Sequence, residues 1–219
     1  MAFANDFSFN RFSEWHSIFY QVHPIVMKDD IFSVLEFGGG RDSTKALSRH
    51  MGINHINVDV SNRFFPDVNK SILEYEFNGN EYDMVCSFQC LEHNPLQELD
   101  ILIPHMMKFT RKYFYISVPY DGSYFSLNLK IRLPKINISK SFTLVPNWLV
   151  NPKINEQKLL DRIKTNSEDK YSPHWWEVGQ KDLSRRQFLL KLENYGLTAI
   201  DVFHNKEFPN HLFYLLVKC

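Results

Sequence analysis

Ser33-Val34-Leu35-Glu36-Phe37-Gly38-Gly39-Gly40-Arg41-Asp42-Ser43 is the stretch that decides the fold. An apolar run ends in an acid, three glycines follow, and a helix start comes next. This reads as a strand running into a nucleotide-binding turn. Glycine lets the backbone turn tightly and lets a ligand approach the main chain where a Cβ would block it. Read as G-x-G-x-x-G, the stretch has Ser43 at the third glycine position, a departure from the dinucleotide pattern. The acid before the glycines discriminates further. A dinucleotide loop offers helix N-terminal amides to a pyrophosphate, which Glu36 would repel. A ligand with a cationic end suits that carboxylate. S-adenosylmethionine, with an ammonium, a sulfonium and no phosphate, is such a ligand.

Working outward, the 219 residues suffice for one domain with a full core, and 44% are hydrophobic, which excludes a disordered chain. Lys plus Arg and Asp plus Glu number 25 each, so the formal net charge is zero. That balance argues against a general nucleic-acid-binding surface. Cys86, Cys90 and Cys219 have neither metal-site spacing nor a disulfide framework, and a reducing cytoplasm is the expected compartment. No signal peptide or membrane-spanning stretch is apparent, and no membrane partner is expected.

Strands are expected over Ile31–Phe37, His55–Val60, Tyr82–Phe88 and Lys112–Val118. Helices are expected over Ser43–Met51 and Leu96–Thr110, the latter kinked or broken at Pro104. This alternation is the pattern of a doubly wound parallel sheet. Phe7–Val26 reads as one or two short helices in an N-terminal segment, residues 1–30. Residues 120–183 break the alternation with prolines, tryptophans and polar runs, and read as a lid or substrate insertion. Its Lys130, Arg132, Lys135 and Lys140 suit either phosphate pairing or a solvated face. Ser184–Tyr195 reads as a capped helix, and Leu197–Phe203 with His211–Val217 as a closing hairpin.

Asp59 closes the second strand, where open α/β sheets bind ligands, and a carboxylate there accepts hydrogen bonds from ribose hydroxyls. Phe88 to His93 follow the Tyr82–Phe88 strand into the same cleft.

At Phe88-Gln89-Cys90-Leu91-Glu92-His93-Asn94-Pro95 the chain resembles class I SAM-dependent methyltransferases of the small-molecule type, which carry an F-Q-x-L-E-H-x-P segment after the fourth strand. Pro66-Asp67-Val68, Asn80-Glu81-Tyr82-Asp83 and Tyr115-Ile116-Ser117-Val118-Pro119-Tyr120 match that type too. The resemblance is strong over residues 31–120 and weak toward the C-terminal hairpin. It implies a Rossmann-like, doubly wound seven-stranded sheet with an antiparallel last strand beside the fifth. It implies that Glu36, Gly38 and Gly40 hold the methionine end of the cofactor, that Asp59 holds the ribose, and that Val60 packs on the adenine. Ser71 stands where an Asp often contacts the adenine amino group, with Ile72 beside it. Phe88 and Gln89 would border the transferring methyl. Some relatives bind a divalent metal through two glutamates and the histidine of this segment. Here the first of those positions is Gln89, a poor ligand for a hard cation, and no metal is expected.

The insertion carries Tyr171-Ser172-Pro173-His174-Trp175-Trp176-Glu177-Val178-Gly179, similar to the H-Y-W-E-I-G string of the same type. His174 and His93 are the candidate bases. Trp175, Glu177 and His211 are candidate substrate contacts. The reading is methyl transfer to a small molecule, expected to be O-methylation of a sugar, nucleotide-linked or phosphorylated precursor in surface-polysaccharide biosynthesis. An N-methyltransferase on a small amine, a non-catalytic SAM-binding module and a nicotinamide oxidoreductase are the alternatives.

Overall fold

A computed structural model of the chain describes residues 12–146 and 174–219. Residues 1–11 of the N-terminal segment and 147–173 of the insertion lie outside the described residues. The element order is α1 (Phe12–Val26), β1 (Ser33–Phe37), α2 (Ser43–His50), β2 (Asn54–Asp59), β3 (Val68–Asn69), β4 (Tyr82–Phe88), α3 (Leu99–Met107), β5 (Thr110–Pro119), β6 (Phe125–Leu133), β7 (Ile136–Leu144), α4 (Arg185–Glu193), β8 (Leu197–His204) and β9 (His211–Lys218). Short 3-10 turns cover Asn62–Phe64, Leu91–His93 and Leu96–Glu98.

Seven strands form one sheet in the order β3-β2-β1-β4-β5-β9-β8. Strands β1 to β5 pair in parallel, and β9 runs antiparallel between β5 and β8. This is the expected Rossmann-like sheet with its antiparallel last strand beside the fifth. Strand β4 is buried along its whole length, as a central parallel strand covered on both faces must be. Side chains alternate across the sheet. Leu35, Phe37, Val85, Phe114 and Ile116 join the core that includes Leu102 and Ile103 of α3 and Phe188 of α4. Val34, Met84, Cys86, Phe88 and Tyr115 join a second core with Ile25 of α1. Burying each such side chain contributes roughly 1.5–3 kcal/mol before entropy is counted.

The start of α4 follows its sequence signal. Ser184 and Gln187 close a reciprocal capping box at the start of α4. Helix α3 runs through Pro104; the proline costs one bond to the Asp100 carbonyl, and the apolar packing of the helix outweighs it. Pro119 is the last residue of β5, not a residue beyond it.

The first described part of the insertion is not irregular. Strands β6 and β7 pair antiparallel over their full length as a separate two-stranded sheet. Their alternation of apolar and polar residues around Pro134-Lys135 is a legible hairpin signal that the sequence reading did not use. No helix among the described residues is long and apolar enough to cross a membrane.

Candidate active site

The glycine turn sits at the carboxyl end of β1. The Gly38 N–H donates to the Val58 carbonyl at 2.8 Å, which ties the turn to β2. Gly38 has φ +76°, and a Cβ there would lie 2.3 Å from Cys90 Sγ. A Cβ on Gly39 would lie 2.6 Å from Asn57 Nδ2. These two glycines are therefore required by close packing beneath the turn. Gly40, with φ +48°, has nothing within 4 Å of its would-be Cβ, so the turn's outer face is open. Below the turn, Lys45 donates to Asn57 Oδ1 at 2.9 Å and pairs with Asp42 at 2.7 Å.

Asp59 braces this turn. Its Oδ2 accepts from the Gly40 N–H at 3.0 Å and its Oδ1 from the Ser61 N–H at 2.7 Å. A carboxylate has about four acceptor positions, so ribose hydroxyls can still be bound. Val60, next in the chain, is 75% exposed and offers an uncovered apolar surface. Ser71 donates its N–H to Glu74 at 2.9 Å, and Ile72 packs against the core edge.

Glu36 stands near the end of β1, just ahead of the turn. It is 2% exposed, and its Oε2 lies 3.0 Å from Nε2 of buried His55. A buried carboxylate needs a polar partner, and His55 engages it from beneath the turn, so it is not presented on the open face. Phe88 also turns inward. It is 6% exposed, with its ring edge-on to Tyr115 at 5.1 Å, so it walls the core below the cleft.

Gln89 leaves β4 with φ +50°. A non-glycine residue in this region costs on the order of 1–3 kcal/mol. Two bonds to Ser117 hold it there, from its N–H to the carbonyl at 3.0 Å and from its Nε2 to Oγ at 3.2 Å. The turn directs the following residues across the ends of β1 and β4. Cys90 then packs on Gly38, and burial pushes its thiol up to about 12.

Glu92 is fully buried, and neither of its carboxylate oxygens has a hydrogen-bond partner among the described residues. Burial pushes its carboxyl up to about 7, with Glu177 adding to the rise and His174 opposing it. The segment from His174 to Gln180 straps over this region. Trp175 donates its N–H to the Glu92 carbonyl at 2.8 Å, and Trp176 donates Nε1–H to the Asn94 carbonyl at 2.9 Å. Val178 donates to the Pro119 carbonyl at 3.0 Å. Trp176 is buried against Phe188, so it is the strap's anchor, whereas Trp175 remains exposed.

The strap brings His174 to the segment after β4. His174 Nδ1 lies 2.9 Å from Glu177 Oε1, its Nε2 lies 4.0 Å from Glu92 Oε1, and its ring centroid lies 5.2 Å from that of His93. One ligand atom each from Glu92, His93 and His174 fall within 4.8 Å of one another. Such a cluster can share a proton or take a cation. His211 comes near the same group. Burial, and then the charge of His174, hold its imidazole down at about 4, and Ser17 Oγ shares a hydrogen bond with its Nδ1 at 2.6 Å. His211 is therefore a neutral, fixed wall at physiological pH. The structure thus gathers His93, His174, Glu177 and His211 with Glu92.

The sheet order, the glycine turn after β1 and the acid closing β2 give this chain the Rossmann-like fold of SAM-dependent methyltransferases. Among solved structures it is similar to the magnesium protoporphyrin IX methyltransferase of Synechocystis PCC 6803 with bound SAM, at 12% identity and a TM-score of 0.58 over 96% of this chain and 82% of that one. It is similar to a SAM-dependent methyltransferase from Clostridium acetobutylicum, at 10% identity and a TM-score of 0.55 over 94% and 92%. It is also similar to the 1,6-didemethyltoxoflavin N1-methyltransferase of Burkholderia thailandensis, solved with that substrate and S-adenosylhomocysteine, at 13% identity and a TM-score of 0.55 over 92% and 76%. At such identities the likeness is one of fold. No protein-family model matches the sequence, and no curated protein does.

Proposed function

We propose that this protein is an enzyme that transfers a methyl group from S-adenosylmethionine to a small-molecule acceptor in the cytoplasm. The observation that carries the reading is the placement of the Glu92, His93, His174 and Glu177 cluster beside the glycine turn, with Cys90 packed on Gly38 joining the two.

The residues present fit the cofactor. Gly40 leaves the turn open, Val60 is uncovered for an adenine, and Asp59 keeps acceptor capacity for a ribose. Ser71 and Ile72 would edge the adenine, while Gln89 would border the methionine end. When bound, the cofactor supplies a methyl group already activated on sulfonium. The protein's task is then alignment and proton removal.

An acceptor hydroxyl must lose its proton as the new bond forms. Glu177, as a carboxylate, accepts from His174 Nδ1–H, which leaves the basic lone pair at Nε2. His174 Nε2 takes the proton, and Glu177 stabilises the imidazolium that results. Glu92, with an affinity for protons near neutrality, and His93 complete the relay behind it. Exposed Trp175 offers the acceptor an aromatic face.

The acceptor is proposed to be a sugar, nucleotide-linked or phosphorylated precursor of surface polysaccharide, methylated on oxygen. The base cluster supports the choice of oxygen, since an unprotonated amine needs less help. The pathway rests on the sequence resemblance. Methyl-labelled cofactor offered with alcohol and amine acceptors, with products read by mass spectrometry, tests this. O-methyl products support the reading, and N-methyl products alone would move the acceptor atom. A second reading, a cation held by Glu92, His93 and His174, is favoured by their spacing. It predicts that EDTA abolishes turnover.

A further inference from the structure

The β6–β7 hairpin has two chemically opposite faces. Its register pairs Phe125 with Leu144, Leu127 with Phe142, Leu129 with Lys140, Ile131 with Ile138 and Leu133 with Ile136. Alternation along the strands puts all of these on one face. That face is apolar except for Lys140, and its apolar side chains are 36% to 58% exposed. None belongs to either core. A nine-residue strand is roughly 30 Å long, so the apolar face is long and narrow. Monomers seldom expose contiguous apolar patches beyond roughly 300–600 Å², and such patches mark interaction sites.

The charge of the hairpin is as one-sided as its apolarity. Residues 125–144 hold Lys130, Arg132, Lys135 and Lys140 and no Asp or Glu. Lys130 and Arg132 stand on the polar face, opposite Ser139 and Asn137, and Lys135 is in the turn. All four are exposed. In a chain of zero net charge this is a local concentration of +4.

The position of Lys140 decides between occupants. If a second copy or another apolar protein surface covered this face, Lys140 would be buried with no acid on the hairpin to pair with it, which is costly. At a bilayer surface a lysine extends its stem along apolar groups and lifts its ammonium to the phosphates. We propose that the apolar face of the β6–β7 hairpin docks this protein on an anionic lipid bilayer. Apolar side chains enter the acyl boundary and the four cations meet the headgroups, the combination that drives interfacial binding of amphipathic segments. This departs from the sequence expectation of no membrane partner. The hairpin follows β5 in the chain, and on its polar face the Ser126 hydroxyl donates to the Lys206 carbonyl at 3.4 Å, which leaves the apolar face turned the other way. The proposal stands independently of the chemistry of the cleft.

The test is co-sedimentation of the full chain with vesicles of phosphatidylcholine plus phosphatidylglycerol, and of phosphatidylcholine alone, at low and high salt. Binding to the anionic vesicles is expected, weakened by salt. The double variant Leu127→Ser/Phe142→Ser and the double variant Lys130→Glu/Arg132→Glu should each reduce it at least about tenfold. Thermal melting should be unchanged, because the hairpin is a sheet of its own. If the apolar variant melts early, the charge variant, on the solvated face, carries the test. No binding to anionic vesicles, equal binding to neutral ones, or binding indifferent to both variants overturns the proposal. So does a dimer in sedimentation velocity that the apolar variant dissociates and that does not bind vesicles.

Discussion

The main-chain N–H of Trp175 donates to the main-chain carbonyl of Glu92 at 2.8 Å. This bond fixes the strap on the segment after β4 and sets His174 between Glu177 and the buried Glu92 carboxyl. Proton removal in the proposed reaction depends on that placement.

His174→Ala should therefore lower turnover by a factor of about 10² or more, the range of general-base catalysis, with S-adenosylhomocysteine affinity nearly unchanged. Single-turnover kinetics beside calorimetry checks this. Full activity would move the base role to His93 or remove the need for one.

Asp59→Ala should weaken cofactor binding by about 1.5–3 kcal/mol, the loss of hydrogen bonds to a charged group. It should also lower the melting temperature, because Asp59 braces the Gly40 and Ser61 amides. Unchanged affinity would refute the ribose role.

Glu92 makes stability fall with rising pH. Its folded pKa, raised by burial to about 7, lies above the value near 4.3 of an unfolded Glu. Between those values the folded state binds the extra proton, so this contribution is fully present below about 4.3 and is lost as pH rises through about 7. Glu92→Gln should remove the dependence and stabilise the protein above that pH by up to about 4 kcal/mol. Denaturant melts from about pH 4 to about pH 8, which spans the two values, check it. A variant with the wild-type pH slope would contradict the assignment.

Gly38→Ala should destabilise severely, from both its positive φ and the contact with Cys90. Replacing Cys90 with Gly in that background should restore part of the loss, since the atoms nearest the new methyl disappear while the φ strain of about 1 kcal/mol remains. A double-variant cycle on melting temperature reads the coupling, and strict additivity would show that the two residues do not meet as described.

The Rossmann-like sheet was legible because its signals are local. The β1 run into Gly38, the largely apolar and wholly buried β4 and the Gly52 and Gly196 stops each lie within a few residues. The position of Asp59 was legible for the same reason, at the end of a readable strand. The pairing of Glu36 with His55 was not legible, because His55 comes from the neighbouring strand and only the β1–β2 register brings them together. The packing of Phe88 on Tyr115 was not legible, because strand parity, which sends it to the α1 side, depends on where β4 begins. The grouping of Glu92 with His174 joins segments far apart in sequence, and the residue types alone could not show it. The β6–β7 hairpin was legible in its alternation and went unread among the prolines and polar runs around it.

The central claim is that the open turn over Gly40, with Asp59 and Val60, holds S-adenosylmethionine. Calorimetric titration with S-adenosylhomocysteine, with and without EDTA, tests it most directly. The account predicts saturable micromolar binding that EDTA does not alter. Absence of binding, together with saturable binding of NADH, would contradict it.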